Sequence, residues 1–118
     1  EALPGLHVKG RLTLGENIAD LGGVSIAYEA LQRSLQSKER KLIDGFTPEQ
    51  RLFIGWGQMW CTNTRPELMR VLAQTDPHSP GKYRVNGVMV NTPEFARAFA
   101  CQPTAPMVKA ADKVCRVW

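Results

Sequence analysis

The nine residues from Gly15 to Gly23, Gly-Glu-Asn-Ile-Ala-Asp-Leu-Gly-Gly, constrain the fold of this chain more than any other stretch. They place Glu16 and Asp20 four residues apart, which on a helix is one turn apart on the same face. Like charges so placed repel each other. A metal ion bound by one carboxylate, while the other orients a histidine ligand, would turn that repulsion into attraction. The alternative is a plain helix start, because acidic residues suit a helix N-terminus and Thr13 with Glu16 fits a capping box.

The pattern that follows predicts a long helix from about residue 15 to residue 37. Apolar residues recur at steps of three and four, as a buried stripe requires. These are Leu21, Val24, Tyr28, Leu31 and Leu35. A neighbouring face carries the two carboxylates and then the small residues Gly23, Ala27 and Ala30. Small residues let a second helix approach closely, so we expect a helix from outside this chain to pack there and to meet Glu16 and Asp20 at its end.

Three shorter helices are predicted from their start signals. Thr47-Pro48-Glu49-Gln50 combines an N-cap threonine, a proline at the first helical position and a capping-box glutamine, and it predicts a helix to about Cys61. Proline also marks the starts of the predicted helices at residues 65–73 and 92–100. The apolar residues expected to face inward are Leu52, Phe53, Ile54, Trp56, Met59 and Trp60 in the first helix, Leu68, Val71 and Leu72 in the second, and Phe95, Ala98 and Phe99 in the third.

The segments between these helices are predicted to be irregular or extended. Residues 1–14 are expected to form an extended lead-in, because few of their positions are periodic. Residues 83–91 predict a short strand, because apolar residues alternate weakly there. The mainly α fold class therefore includes short irregular and extended segments.

The stretch Asp76-Pro77-His78-Ser79-Pro80-Gly81 predicts a tight loop, because it holds two prolines and a glycine. A histidine on such a stiff backbone can hydrogen-bond negative charge that develops in a reaction. Asp76 could orient His78 or raise its pKa. The alternative for His78 is a surface-loop histidine. The same interpretation applies to His7, which has no partner at metal-ligand spacing.

Length and charge narrow the class of protein. The chain has 118 residues and a net charge of +4, and it contains no apolar run near the roughly 20 residues that cross a bilayer. Lys38, Arg40 and Lys41 form the only tight basic group, and the acidic residues beside them are typical of a solvated helix end rather than of a nucleic-acid-binding surface. Because the chain begins at Glu1 without a methionine, we expect it to be a piece of a longer protein.

The three cysteines, Cys61, Cys101 and Cys115, cannot all pair within the chain. Their spacing matches no zinc-finger arrangement. They either stay reduced or bridge to partners outside the chain. A bridge between Cys101 and Cys115 is a further alternative, and it would require their Cα atoms to lie within about 7 Å.

The stretch around Glu16 resembles the third-ligand segment of the neprilysin and endothelin-converting-enzyme family of zinc metallopeptidases. The likeness continues, in order, along essentially the whole chain. The further matching segments are Trp60-Cys61, Arg65-Pro66-Glu67, Thr75 to Gly81, Arg84 with Gly87, Phe95 to Phe99, and Cys115-Arg116-Val117-Trp118. The resemblance implies that residues 1–118 are a single unit, the helical C-terminal part of a thermolysin-like zincin catalytic domain.

The resemblance also implies roles for individual residues. In the family, two histidines of a His-Glu-x-x-His helix and a glutamate from a following helix hold the zinc ion. This sequence has no His-Glu-x-x-His, so the resemblance implies that Glu16 is one metal ligand and that the others lie upstream. It further implies that Asp20 orients a zinc-bound histidine, that His78 stabilises the oxyanion of the tetrahedral intermediate, and that Arg84 grips a substrate carbonyl or carboxylate.

The function implied by the resemblance is that of a C-terminal segment of a zinc metalloendopeptidase. One zinc ion is expected in the full-length enzyme and none in the isolated chain, which is expected to be inactive. The expected partners are peptide substrates and the upstream part of the same protein, to which the cysteines are tied, and no nucleic acid. The expected location is extracytoplasmic.

The sequence leaves two other classes of function open. The alternatives are a non-catalytic interaction module, which would be a degenerate relative, and a basic nucleic-acid-binding domain. Without its upstream partner the chain is expected to expose an apolar face and to self-associate. The apolar Val117-Trp118 end predicts a docked terminus.

Overall fold

The computed structural model describes residues 1–117, so the predicted docking of Trp118 lies outside the described residues. Five α-helices follow one another: α1 Gly10–Leu35, α2 Pro48–Met59, α3 Pro66–Thr75, α4 Gly81–Met89 and α5 Pro93–Ala98. A 3-10 turn, Ala111–Lys113, lies in the C-terminal tail. Residues 1–117 contain no β-strand and only isolated bridges, at Leu3–Leu6 and Ile43–Phe46. The prediction of a mainly helical chain is confirmed.

Helix α1 begins at Gly10, so the extended lead-in predicted over residues 10–14 is wrong. Its N-cap is Lys9, and Thr13 lies inside the helix, where it is only 2% exposed. A capping threonine must precede the helix in an extended backbone, so the capping box between Thr13 and Glu16 does not form. The arginine and leucines that follow Gly10 are good helix formers and no proline interrupts them, which explains the early start.

The predicted start of α2 is confirmed in its hydrogen bonds. The Gln50 N–H donates to Thr47 Oγ1 at 3.2 Å, and the Thr47 N–H donates to Gln50 Oε1 at 2.9 Å, so both halves of the capping box are present. Helices α3 and α5 also begin at their predicted prolines, although no side chain caps them. Thr92, which precedes α5, instead donates its hydroxyl to the Val88 carbonyl at 2.9 Å. The fixed φ angle of proline favours these two starts, as does the acidic residue in each first turn, Glu67 or Glu94.

The strand predicted over residues 83–91 is wrong, because this segment lies mostly in helix α4. Val88 and Met89 are 4% and 3% exposed, and Val85 packs against the core beside them. Positions 85, 88 and 89 are three and four residues apart, which is the spacing of one helix face. The segment therefore carries an apolar helix face, which its weak alternation in the sequence did not reveal.

The core lies where α1, α2, α4 and α5 meet. Its buried residues are Val24, Phe53, Val88 and Met89. Phe53 of α2 stacks on Tyr28 of α1 and meets Phe95 of α5 edge-on, with ring centroids 5.9 and 5.7 Å apart. The predicted apolar faces of α1 and α5 are confirmed where they pack on this core. The residues concerned are Leu21, Val24 and Tyr28 of α1, and Phe95, Ala98 and Phe99 of α5.

Three residues predicted to face inward lie on the surface instead. Met59, Leu68 and Val71 are 58%, 53% and 56% exposed. Leu68 and Val71 belong to α3, which packs against none of the other helices in the described part of the chain. Their apolar pattern therefore indicates an amphipathic helix whose partner surface is not provided by residues 1–117.

Helix α1 exposes an extended apolar face. Gly23, Ala27 and Ala30 are all exposed, and a Cβ atom built on Gly23 would meet no other atom within 4 Å. Large apolar residues of the same helix are also exposed; they are Leu12, Leu14, Ile18 and Ile26. Nothing in residues 1–117 covers the small-residue face, so the helix expected to pack there stays a prediction.

The cysteines form no disulfide with one another. Cys61 and Cys115 are exposed free thiols, and Cys101 is a half-buried one. A bridge between Cys101 and Cys115 is therefore absent. Among residues 1–117, no helix combines the length and the apolar character that crossing a membrane requires.

Candidate active site

Helix α1 presents the two acidic residues as the sequence predicts, one turn apart, but in different surroundings. The Asp20 side chain is buried, with 8% of its surface exposed, whereas the Glu16 side chain is 42% exposed. A buried carboxylate needs a cation or several hydrogen-bond donors, and an exposed one does not. Asp20 therefore requires a partner inside the protein, whereas Glu16 can be solvated by water.

Asp20 is paired with Arg84, which lies in the first turn of α4. Arg84 Nε donates to Asp20 Oδ2 at 2.6 Å and Nη2 donates to Oδ1 at 2.5 Å, so the ion pair is bidentate. The hydrogen bonds to Asp20 raise the pKa of Arg84 above its usual value, although burial acts in the opposite direction. Nη1 makes no hydrogen bond to residues 1–117, so its two N–H groups are left to bind another acceptor.

Trp56 and Trp60, near the C-terminal end of α2, both contact Arg84. The Arg84 Cζ lies 3.7 Å from the centre of the Trp60 ring, which is a close cation–π contact. Trp56 Nε1 donates to the Arg84 carbonyl at 3.2 Å. The close approach of the two helices depends on Gly81, because a Cβ atom there would lie 2.7 Å from the Trp60 carbonyl oxygen.

His78 lies between two carboxylates. Its Nδ1 is 2.8 Å from Asp76 Oδ1, and its backbone N–H donates to the same oxygen at 2.8 Å. Its Nε2 lies 3.3 Å from Glu16 Oε2. The backbone and ring hydrogen bonds from His78 lower the pKa of Asp76, so this carboxylate stays ionised into the acid range. Asp76 therefore fixes the orientation of the ring and turns Nε2 towards helix α1.

A second contact joins the His78 loop to α1. Ser79 Oγ donates to Asn17 Oδ1 at 2.8 Å, and Asn17 Nδ2 donates to Thr13 Oγ1 at 3.2 Å. Ser79 and Thr13 are buried, at 7% and 2% exposure. Sequence reasoning did not single out Asn17, Ser79 or Trp60 as site residues, because polar and aromatic side chains carry no signal for a partner more than 20 residues away.

An open cavity of about 590 Å³ lies beside this cluster. Its lining includes Trp60, Asp76, His78, Lys82, Tyr83 and Arg84. The structure therefore brings all four predicted site residues, Glu16, Asp20, His78 and Arg84, to one region at the edge of a cavity. His7 is not among them; its side chain is 76% exposed.

The described residues do not form a metal site by themselves. Within residues 1–117, no group of three or more His, Cys, Asp or Glu side chains is placed to hold a metal ion. Glu16 nevertheless suits one coordination position, because its carboxylate is exposed and no lysine or arginine among the described residues pairs with it. Carboxylate oxygen is an ordinary ligand of zinc in proteins. Any further ligands would have to come from outside these residues.

Curated proteins similar to this chain include neprilysins and an endothelin-converting enzyme. Neprilysin-1 of Caenorhabditis elegans is 44% identical over 118 residues, and human neprilysin is 42% identical over 117 residues. Endothelin-converting enzyme 1 of Cavia porcellus is 42% identical over 117 residues. These alignments include 96% or 97% of this chain, but the chain spans only 15% of the length of each relative.

Two solved structures of one protein superpose closely on this chain. The zinc metalloprotease Zmp1 of Mycobacterium tuberculosis, in its open state, superposes with a TM-score of 0.90 at 42% identity, covering 96% of this chain and 18% of that one. The same protein in complex with an inhibitor gives a TM-score of 0.89 at 41% identity, over 95% of this chain and 17% of that one. Residues 2–116 match the sequence profile of peptidase family M13, so the chain belongs to this family.

Proposed function

We propose that this chain is the C-terminal part of a zinc-dependent metalloendopeptidase, and that it contributes one metal ligand together with the residues that bind substrate and stabilise charge. The observation that carries the proposal is the position of His78, oriented by Asp76 and facing Glu16 at 3.3 Å. Two residues 62 positions apart in the sequence meet there, beside a cavity also lined by Arg84.

Glu16 is the proposed metal ligand from this chain. It is the accessible member of the acidic pair, and its Oε2 faces the other side chains of the site. When bound, zinc supplies a Lewis acid that polarises a carbonyl group and makes water a stronger nucleophile. The remaining ligands, and the glutamate that acts as general base, belong to the upstream part of the protein in this proposal.

His78 is proposed to donate a hydrogen bond to the oxygen that becomes negatively charged in the reaction. In the imidazolium form, Nδ1 donates to Asp76 Oδ1 at 2.8 Å, which fixes the ring, and Nε2 carries the second proton and is the donor towards the reacting centre. A donor that is oriented before the reaction loses little free energy in reorganising during it. Pro77 and Pro80 stiffen the loop that carries the ring.

Arg84 is proposed to bind a substrate carbonyl or carboxylate through its unpaired Nη1. Asp20 engages the other edge of the guanidinium group, so the fork of donors has a fixed direction. This gives Asp20 a function in positioning Arg84 in addition to the expected one of orienting a metal-bound histidine. Both functions are compatible, because a carboxylate has about four acceptor sites.

The proposal extends to the whole protein. Its substrates are peptides, its location is extracytoplasmic, and its partner is the upstream part of the same polypeptide, which covers the exposed face of α1 around Gly23 and pairs with the cysteines. Residues 1–118 form a single unit of the catalytic domain. The isolated chain retains no zinc and hydrolyses no peptide, because it has one ligand of the set.

The test is the full-length protein with Glu16→Val. The expected result is loss of bound zinc, measured by elemental analysis, together with loss of peptide hydrolysis. Glu29→Val is the matched control, because Glu29 lies on the same helix, is 68% exposed and forms an ion pair with Arg33; it should keep both zinc and activity. Retention of zinc by Glu16→Val would refute the ligand assignment. A wild-type protein that binds no zinc would instead indicate a non-catalytic interaction module.

A further inference from the structure

We propose that Asn17 and Ser79 are a positioning pair that sets the distance between Glu16 and His78. The inference rests on the proposed function, because it concerns how that site is held together. Each member of the pair is the immediate neighbour in sequence of the residue it positions. The bond from Ser79 Oγ to Asn17 Oδ1 is 2.8 Å long, and it closes directly beside the contact between His78 and Glu16.

In the described part of the chain, the bond from Ser79 is the only hydrogen bond between the His78 loop and α1. Within residues 1–117, the remaining side-chain hydrogen bonds of residues 76–80 stay inside the loop, where Asp76 accepts from His78. Pro77 and Pro80 have no N–H to donate. Besides the ion pair of His78 with Glu16, the polar attachment of this loop to α1 therefore depends on Ser79.

The chemistry of asparagine suits this position. A carboxamide has an acceptor and a donor on the same planar group. Asn17 uses Nδ2 to donate to the buried Thr13 hydroxyl at 3.2 Å, which turns Oδ1 towards Ser79. Thr13 is one helical turn before Asn17 on α1. Consecutive positions of α1 thus carry Glu16 and the group that anchors the opposite loop.

The experiment measures peptide hydrolysis, zinc content and structure in the full-length enzyme with Asn17→Ala, Ser79→Ala and the double variant. Each single change should lower kcat by roughly 10-fold to 100-fold, because misplacement of a reacting group by about 1 Å has effects of that size. The double variant should lose no more than either single one, since both remove the same bond. Zinc content should stay at the wild-type level and KM should change less than about twofold.

Asn91→Ala is the matched control. Asn91 is also a carboxamide with several hydrogen bonds, accepting from Lys109 Nζ at 2.8 Å and from the Cys115 N–H at 3.0 Å, and within residues 1–117 its side chain has no hydrogen bond to a candidate site residue. It should leave kcat unchanged. A crystal structure of the Asn17→Ala enzyme without zinc gives a second measurement, in which the separation of His78 Nε2 from Glu16 Oε2 should exceed 3.3 Å.

The outcomes separate this inference from the proposed function. A wild-type enzyme that cleaves no peptide overturns both. If the wild type is active, then single variants with wild-type kcat, or a double variant whose loss is the product of the two single losses, overturn the positioning pair alone. Loss of zinc in step with kcat also overturns it, because that result would indicate a general structural defect. Should Asn17→Ala not fold, Ser79→Ala tests the same bond from the loop side.

Discussion

Replacing Arg84 by methionine tests the buried ion pair that connects α1 to α4. Methionine keeps much of the apolar stem of arginine but removes the charge, so Asp20, at 8% side-chain exposure, loses both of its bidentate hydrogen bonds. Breaking a buried pair by removing one partner destabilises a protein by about 3 to 5 kcal/mol, because the remaining charge is buried without compensation. A domain of this size has a total stability of about 5 to 15 kcal/mol, so a large share of the stability should be lost.

The assay is urea unfolding of the 118-residue chain, followed by circular dichroism. The matched control is Arg33→Met, because Arg33 and Glu29 form an ion pair at 77% and 68% side-chain exposure, and such pairs contribute only about 0.3 to 0.5 kcal/mol. Adding Asp20→Leu to Arg84→Met should restore most of the stability, since replacing both partners of a buried pair by apolar residues is often neutral. Equal losses in Arg84→Met and Arg33→Met would refute the reasoning.

Three further predictions concern the surroundings of this pair. Gly81→Ala should shift the first turn of α4 away from Trp60 and lower the melting temperature, because the new Cβ atom would lie 2.7 Å from a backbone oxygen; an unchanged melting temperature would contradict this. The pKa of Asp76 is lowered by its hydrogen bonds from His78, so its contribution to stability is present above the ordinary value of 3.8 and is lost as pH falls through the folded-state pKa. Unfolding measured from pH 6 to pH 2 should therefore show a weaker acid dependence in Asp76→Asn. Asp20→Ala in the full-length protein should weaken zinc affinity by about 10-fold to 100-fold, as measured by competition with a chelator.

The two acidic residues illustrate how much of the site was predictable. Their spacing places Glu16 and Asp20 on one face of a helix, which is a local property of any α-helix, and the structure agrees. The pairing of Asp20 with Arg84 was not predicted, since the family resemblance implied separate functions for the two residues. They are 64 residues apart, and only the packing of α4 against α1 brings them together.

The segment at residues 83–91 shows a different kind of error, because a weak local pattern indicated a strand where the structure has a helix. Its apolar residues satisfy an alternating pattern and a helical one at the same time, so periodicity could not decide between them. Burial of Val88 and Met89 against α1, α2 and α5 selects the helix. Tertiary packing outweighs such a small difference in local preference.

The sequence by itself determined the starts of α2, α3 and α5, and its resemblance to a peptidase family supplied the four candidate site residues as a prediction. Helix starts depend on hydrogen bonds and φ angles within four residues, and such short-range terms can be read directly from residue order. Only the tertiary structure decided that Arg84 binds Asp20 and contacts Trp60, and that Asn17 joins the His78 loop through Ser79. Those contacts form between segments that are distant in sequence, and their geometry exists only once the helices have packed.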